Sequence, residues 1–163
     1  MTYPKIYYCE NRAVLKCRLS FELSCVDKID DFLKSILNSA FSFLENTLYP
    51  EICEEYKKGE KENKKDSFCY FYSLEITPVF CDDEYLSLRI KATLKRKNRA
   101  CVKAYDRYFV FKKSDGSILP YEHFVSKSFR KKYRREGYEN YYLKDKELVF
   151  FARNGDEYRF SLI

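Results

Sequence analysis

Residues 13–25, AVLKCRLSFELSC, alternate without a break, and within a few residues the alternation is gone. Leu15, Cys17, Leu19, Phe21, Leu23 and Cys25 fall on one side, and Lys16, Arg18, Ser20, Glu22 and Ser24 on the other. A period of two is that of a strand with one buried face. Beyond it the apolar residues fall at Ile29, Phe32, Leu33, Ile36, Leu37, Ala40, Phe43 and Leu44. That is the stripe of an amphipathic helix. A one-faced strand followed at once by a one-striped helix leaves two apolar surfaces that only each other or further strands can cover. The predicted fold class is therefore α+β: an antiparallel sheet packed against a long amphipathic helix over residues 27–48, with Pro50 at its end.

The rest of the chain reads as more sheet with a second helix. Residues 49–60 suggest a short helical extension that runs into an exposed, mobile loop at about 57–66. Strands are predicted over 68–80, with Pro78 at an edge or strand end, and over Tyr85 to Leu94. Asp82-Asp83-Glu84 form the turn between them, and Lys97-Asn98-Arg99 a hairpin tip. The returning strand changes parity around Asp106, as a bulge or a strand buried on both faces would. Ser114-Asp115-Gly116-Ser117 reads as a turn of the Asp-Gly type. A second helix is predicted over 121–136 with Gly137 as its cap. A strand meander follows, turning at Lys144-Asp145-Lys146 and Asn154-Gly155. The 163 residues are expected to form one domain.

Composition narrows the function classes. With 45% hydrophobic and 34% charged residues the chain is of the soluble globular kind, and no stretch approaches the length of a membrane span. The start has no continuous apolar run of the signal-peptide type. Seven cysteines form no CxxC pair and are read as free, buried thiols, which points to the cytoplasm. A single histidine, His123, leaves little for zinc or a triad. Four glycines leave no phosphate-cradling loop. Asp82-Asp83 and Asp30-Asp31 are adjacent acids of a turn and a helix start. No enzyme activity, cofactor or metal is expected.

Charge supplies the candidate site. The net charge is +6, yet residues 91–135 hold 15 Lys or Arg against Asp106, Asp115 and Glu122, so the remainder is acidic. Lys95, Arg96, Lys97, Arg99, Lys103 and Arg107 on the hairpin, with Arg130, Lys131, Lys132, Arg134 and Arg135 on the later helix, would neutralise phosphates if the two surfaces adjoin. Tyr105 and Tyr108 would stack on unpaired bases. The alternative is a solvated face whose charges keep strands from pairing with neighbours. Tyr7, Tyr8, Tyr70, Tyr72, Tyr141 and Tyr142 would form a protein or glycan contact surface if they shared one face.

The order of these pieces, with YLSLRI, then YFVFKKSDGSILPYEHFV, then YYLKDKELVFFA, resembles a bacterial domain of unknown function. That domain is found in the ectodomains of lysozyme-sensing anti-sigma factors and before the catalytic domain of a peptidoglycan deacetylase. The resemblance extends over most of residues 11–163. KRKNRAC stands at residues 95–101, where the family carries Gly-Gly-Ala-His, so it carries over no functional residue. It implies an extracytoplasmic setting as the alternative to the cytoplasm. The expected function is a non-catalytic binding module for another macromolecule, a protein or a cell-wall component. The alternative is nucleic-acid or other polyanion binding through residues 91–135.

Overall fold

The computed structural model describes residues 2–21, 27–60, 69–97, 101–133, 140–145, 147–151 and 156–161, with the backbone alone at 27, 28, 60, 101–103 and 131–133. The fold is α+β. A five-stranded sheet takes the order β1-β2-β3-β4-β5, from Thr2–Cys9, Arg12–Phe21, Tyr70–Cys81, Tyr85–Arg96 and Cys101–Lys112. A three-stranded antiparallel sheet follows from β6 (Asn140–Lys144), β7 (Glu147–Phe151) and β8 (Glu157–Ser161). The chain divides into two compact units. The first comprises Met1–Leu23, Asp30–Glu75 and Lys91–Tyr105; the second comprises Ser24–Ile29, Ile76–Ile90 and Asp106–Ile163. Among the described residues no helix is long and apolar enough to cross a membrane.

In the first unit the alternation of residues 13–25 is realised as far as it is described. Leu15, Cys17, Leu19 and Phe21 are buried while Lys16 and Arg18 are exposed. The sequence reading had no strand before it, yet β1 pairs with β2 from Thr2↔Ser20 to Cys9↔Arg12, with a shift at Tyr7/Tyr8. The two-residue turn places Glu10 at φ 48 and Asn11 at φ 65, the paired left-handed conformation of tight hairpins. Asn suits it and Glu does not, which hid the hairpin from a search for Asn-Gly.

The long helix corrects another boundary. It does not stop at Pro50: α1 (Asp27–Phe43) passes through a π turn, Leu44–Leu48, into α2 (Tyr49–Glu60). Residues 57–60, expected in a loop, are thus helical, and 61–66 lie outside the described residues. In the π turn the Tyr49 N–H donates to the Leu44 carbonyl five residues back. The buried positions Leu33, Leu37, Ala40, Leu44, Leu48, Ile52 and Tyr56 run through it. At 3.6 residues per turn, Leu33 and Tyr56 would stand roughly 140° apart in an uninterrupted α-helix; absorbing one residue in a wide turn reduces this to about 40°. The helix keeps its apolar side against the sheet, with Lys5 ion-paired to Glu45 and the Tyr7 and Tyr49 rings 5.1 Å apart. Phe43, expected in the stripe, is exposed.

The second unit is built on aromatic packing. Val110, Leu143, Leu148 and Phe150 form its buried centre, ringed by Phe80, Tyr85, Tyr121, Phe124, Phe129 and Phe160 among others. Asp106, Arg107, Tyr108 and Phe109 are all half-buried, the two-sided alternative for the parity change. The Asp-Gly turn forms as read, with Gly116 at φ 70 and the Ser117 N–H on Asp115 Oδ1 at 2.9 Å. The helix predicted over 121–136 is interrupted. A 3-10 turn at Tyr121–His123 precedes α3 (Lys127–Tyr133), and the Ser126 hydroxyl accepts the Phe129 N–H at 3.3 Å, a serine cap that starts the helix afresh. Gly137 and Asn154-Gly155 lie outside the described residues; Asp145, at φ 50, turns β6 into β7. Side chains tie these strands to the longer ones. Asn140 accepts the Tyr108 N–H at 2.8 Å and donates to the Asp106 carbonyl at 3.1 Å, and Ser87 Oγ accepts the Leu143 N–H at 3.1 Å.

Candidate binding surface

The candidate bases divide between the two units. In the first, Lys95 and Lys97 at the end of β4 are exposed. Arg96 is held by Glu55 at 2.8 Å and lies over the Tyr70 ring at 5.7 Å, while the Tyr70 hydroxyl donates to the same carboxylate at 2.8 Å. That arrangement joins the end of β4 to α2. Arg99 and the Lys103 side chain lie outside the described residues. Tyr105 is 46% exposed.

In the second unit Arg107 is half-buried. Arg130 is turned inward, donating to the carbonyls of Glu122 and Val125. Arg134, Arg135 and the Lys131 and Lys132 side chains lie outside the described residues. Tyr108 already has ring neighbours, with Tyr142 at 4.9 Å and Phe151 at 5.1 Å. The Arg89 guanidinium sits 5.6 Å from its centroid, and Arg89 forks onto Asp106 at 2.9 and 2.5 Å. Burial raises the Tyr108 hydroxyl above its ordinary pKa. His123 is exposed and touches the edge of Phe124.

Register and contacts assemble a surface that spacing alone did not. Ile6 pairs with Lys16 and Pro4 with Arg18 across the β1–β2 hairpin, and cross-strand partners point to the same side. The Lys16 ammonium lies 5.9 Å from the Phe71 ring centroid. Two residues along β3, the Ser73 hydroxyl shares a 2.7 Å hydrogen bond with Thr93 on β4. Thr93 alternates with Ala92 and Leu94, so Lys91 and Lys95 take its side. One face of the first unit therefore carries Lys16, Arg18, Lys91 and Lys95 around Ile6 and Phe71, with Glu75 as an acid among them. Ile6 is 46% and Phe71 40% exposed. The opposite face is the one the helix covers. Among these, the outward alternation of Lys16 and Arg18 is legible in the sequence, whereas Ile6 lies in a strand with no local signal, and the meeting of all four with β4 depends on strand order. Of the six tyrosines considered as a surface, Tyr7 and Tyr70 are buried in the first unit and Tyr142 in the second. Tyr8 is exposed, and the Tyr141 hydroxyl bonds the Leu119 carbonyl.

No family model and no curated protein matches the sequence. Among solved structures, a member of the DUF3298 family from Bacteroides fragilis superposes with a TM-score of 0.66 at 10% identity, covering 99% of this chain and 87% of that one. The likeness at that identity is one of fold: this chain has a DUF3298-type architecture.

Proposed function

We propose that the chain is a non-catalytic binding module that recognises another macromolecule, a protein or cell-wall component, through the open sheet face of its first unit. The observation that carries this reading is the company kept by Phe71. An exposed aromatic and an exposed isoleucine sit among four bases on a rigid sheet whose other face is filled. Large apolar side chains left in water on a regular element, rimmed by charge, are the usual marks of a contact surface. The resemblance to ectodomains of anti-sigma factors and to the segment before a deacetylase domain supports an envelope partner.

A photocrosslinking residue at position 71, with a second at exposed Asn38 on the far side of the helix as control, tests the reading. Exposed to an envelope fraction, position 71 is expected to give an adduct that position 38 does not, lost in Lys16→Glu/Arg18→Glu. Equal labelling from both positions, or none from 71, overturns it. Polyanion binding is the second reading, favoured by Lys16, Arg18, Lys91 and Lys95 sharing one side. Titrations with single-stranded RNA, duplex DNA and heparin across salt concentrations separate it. A steep salt slope for nucleic acid, abolished by Lys16→Glu/Arg18→Glu/Lys95→Glu, would establish that reading in place of the first.

A further inference from the structure

The open face of the first unit holds more than Ile6 and Phe71. On β1, Tyr7 and Cys9 are buried, so Ile6 and Tyr8, which alternate with them, take the open side, and Tyr8 is 55% exposed. Lys16, Arg18 and Lys95 stand exposed around these side chains and Lys91 half-buried, with Glu75 as an exposed acid. β1 is also the outer strand of the sheet, where an extended peptide would add a further strand. That mode is poorly served here. Proline in an edge strand keeps its nitrogen to the outside, so Pro4 offers no N–H to an added strand. The Tyr8 carbonyl, outward by the same alternation, already accepts the Tyr49 hydroxyl at 2.6 Å. Recognition therefore falls to the side chains of the face rather than to the backbone of its edge.

Given this face as the contact surface, we propose that its ligand is an acidic segment of a protein. Asp or Glu residues of the segment meet Lys16, Arg18, Lys91 and Lys95, and its large apolar side chains pack on Ile6, Tyr8 and Phe71. Both halves of that chemistry are needed. A bare polyanion, such as a nucleic acid or a heparin-like glycan, would satisfy the bases and leave Ile6 without an apolar counterpart. A neutral glycan would stack on the rings and leave the bases without anions. The two halves also interleave rather than forming separate patches. Ile6 pairs with Lys16 across the hairpin, and the Lys16 ammonium lies 5.9 Å from the Phe71 ring centroid. Glu75 adds selectivity, since its carboxylate disfavours an unbroken run of acids laid over the whole face.

The test is a selection from a random-peptide library on the immobilised whole chain, with Lys16→Glu/Arg18→Glu and Phe71→Ser chains used to discard peptides that bind elsewhere. The expected survivors are net acidic and carry large apolar residues. Changing their acids to Lys should weaken binding to the native chain about tenfold. The same change should strengthen binding to Lys16→Glu/Arg18→Glu, an exchange that a misfolded variant would not show. Changing the apolar residues of the survivors to Ser should also weaken binding. Neutral or basic survivors, or none, overturn the proposal. Acidic survivors that bind equally well without their apolar residues overturn it in favour of bare polyanion binding. The crosslink from position 71 tells this failure from that of the face itself. An adduct that outlasts protease digestion overturns the acidic segment and keeps the face, whereas no adduct overturns both.

Discussion

Ser87 has no exposed surface, and its hydroxyl accepts the Leu143 N–H of β6. A buried backbone donor stripped of its acceptor costs about 1–3 kcal/mol. Ser87→Ala should accordingly lower the urea midpoint by an equivalent of ~1–2 kcal/mol at unchanged slope; a neutral result would mean that the Leu143 N–H finds another acceptor. This residue looked like one more outward position of an alternating strand, since Ser87 shares its parity with Arg89 and Lys91. Its burial comes from β6, more than fifty residues later, and no local pattern announces that. The same holds for the open face of the first unit. Lys16 and Arg18 were plainly outward, and Phe71 was plainly in a strand, but only pairing places a lysine over that ring. Outwardness is local, and company is not.

The π turn is the element whose absence from the sequence reading has a clear physical cause. Proline inside a helix lacks an N–H and crowds the carbonyl four residues back, so Pro50 reads as the end of the long helix. The chain instead widens just before it. If that turn both accommodates the proline ring and corrects the helix phase, removing exposed Asn46 restores a regular helix with Ile52 and Tyr56 still inward but the ring crowded. Deletion of Asn46 alone should therefore cost ~3 kcal/mol. Deletion of Asn46 in a Pro50→Ala background should fall within ~1 kcal/mol of Pro50→Ala. Deletion of Glu51, beyond the turn, swings Ile52 and Tyr56 through about 100° and should cost several kcal/mol, at about 1.5–3 kcal/mol for each exposed side chain. Urea unfolding of the four variants checks this, and equal costs for both deletions would remove the phase argument. The amphipathic stripe itself, the three strands β3–β5 after residue 68 and the closing hairpins were readable because periodicity and turn chemistry are local. The N-terminal strand was not, because a Glu-Asn turn and an exposed strand carry neither signal.

At the scale of the molecule, titration follows from how much thiol and phenol the fold buries. Burial holds the Cys17 thiol up at about 12 against an ordinary 9.0, and raises Cys9 and Cys69. Tyr72 and Tyr141 are raised by the same cause. Below the unfolded thiol value both states are protonated and no stability depends on pH. Above it the unfolded chain releases protons that the folded chain keeps, so stability is lost as pH rises toward the folded values. Urea midpoints under reductant should be flat to about pH 9 and fall beyond it, by ~1.4 kcal/mol per pH unit for each fully shifted group. Cys17→Ala should have a shallower decline between about pH 9 and 10, before tyrosines join; an unchanged slope would mean that Cys17 ionises freely in the fold. Charge divides differently. The basic run of residues 91–135 is cut at Tyr105, its first part belonging to one unit and the rest to the other, so a stretch continuous in sequence serves two bodies. The same cut sets a timetable during synthesis. The first unit has all its residues once Tyr105 is made, whereas the second waits for the last 58. At about 5–20 residues per second that is an interval of several seconds. For much of it Leu86, Leu88 and Ile90 have been made while the β6 and β7 residues of their unit do not yet exist. A nascent chain of this kind has most need of a holdase in that interval, and slowing translation beyond residue 105 should increase its aggregation more than slowing it before.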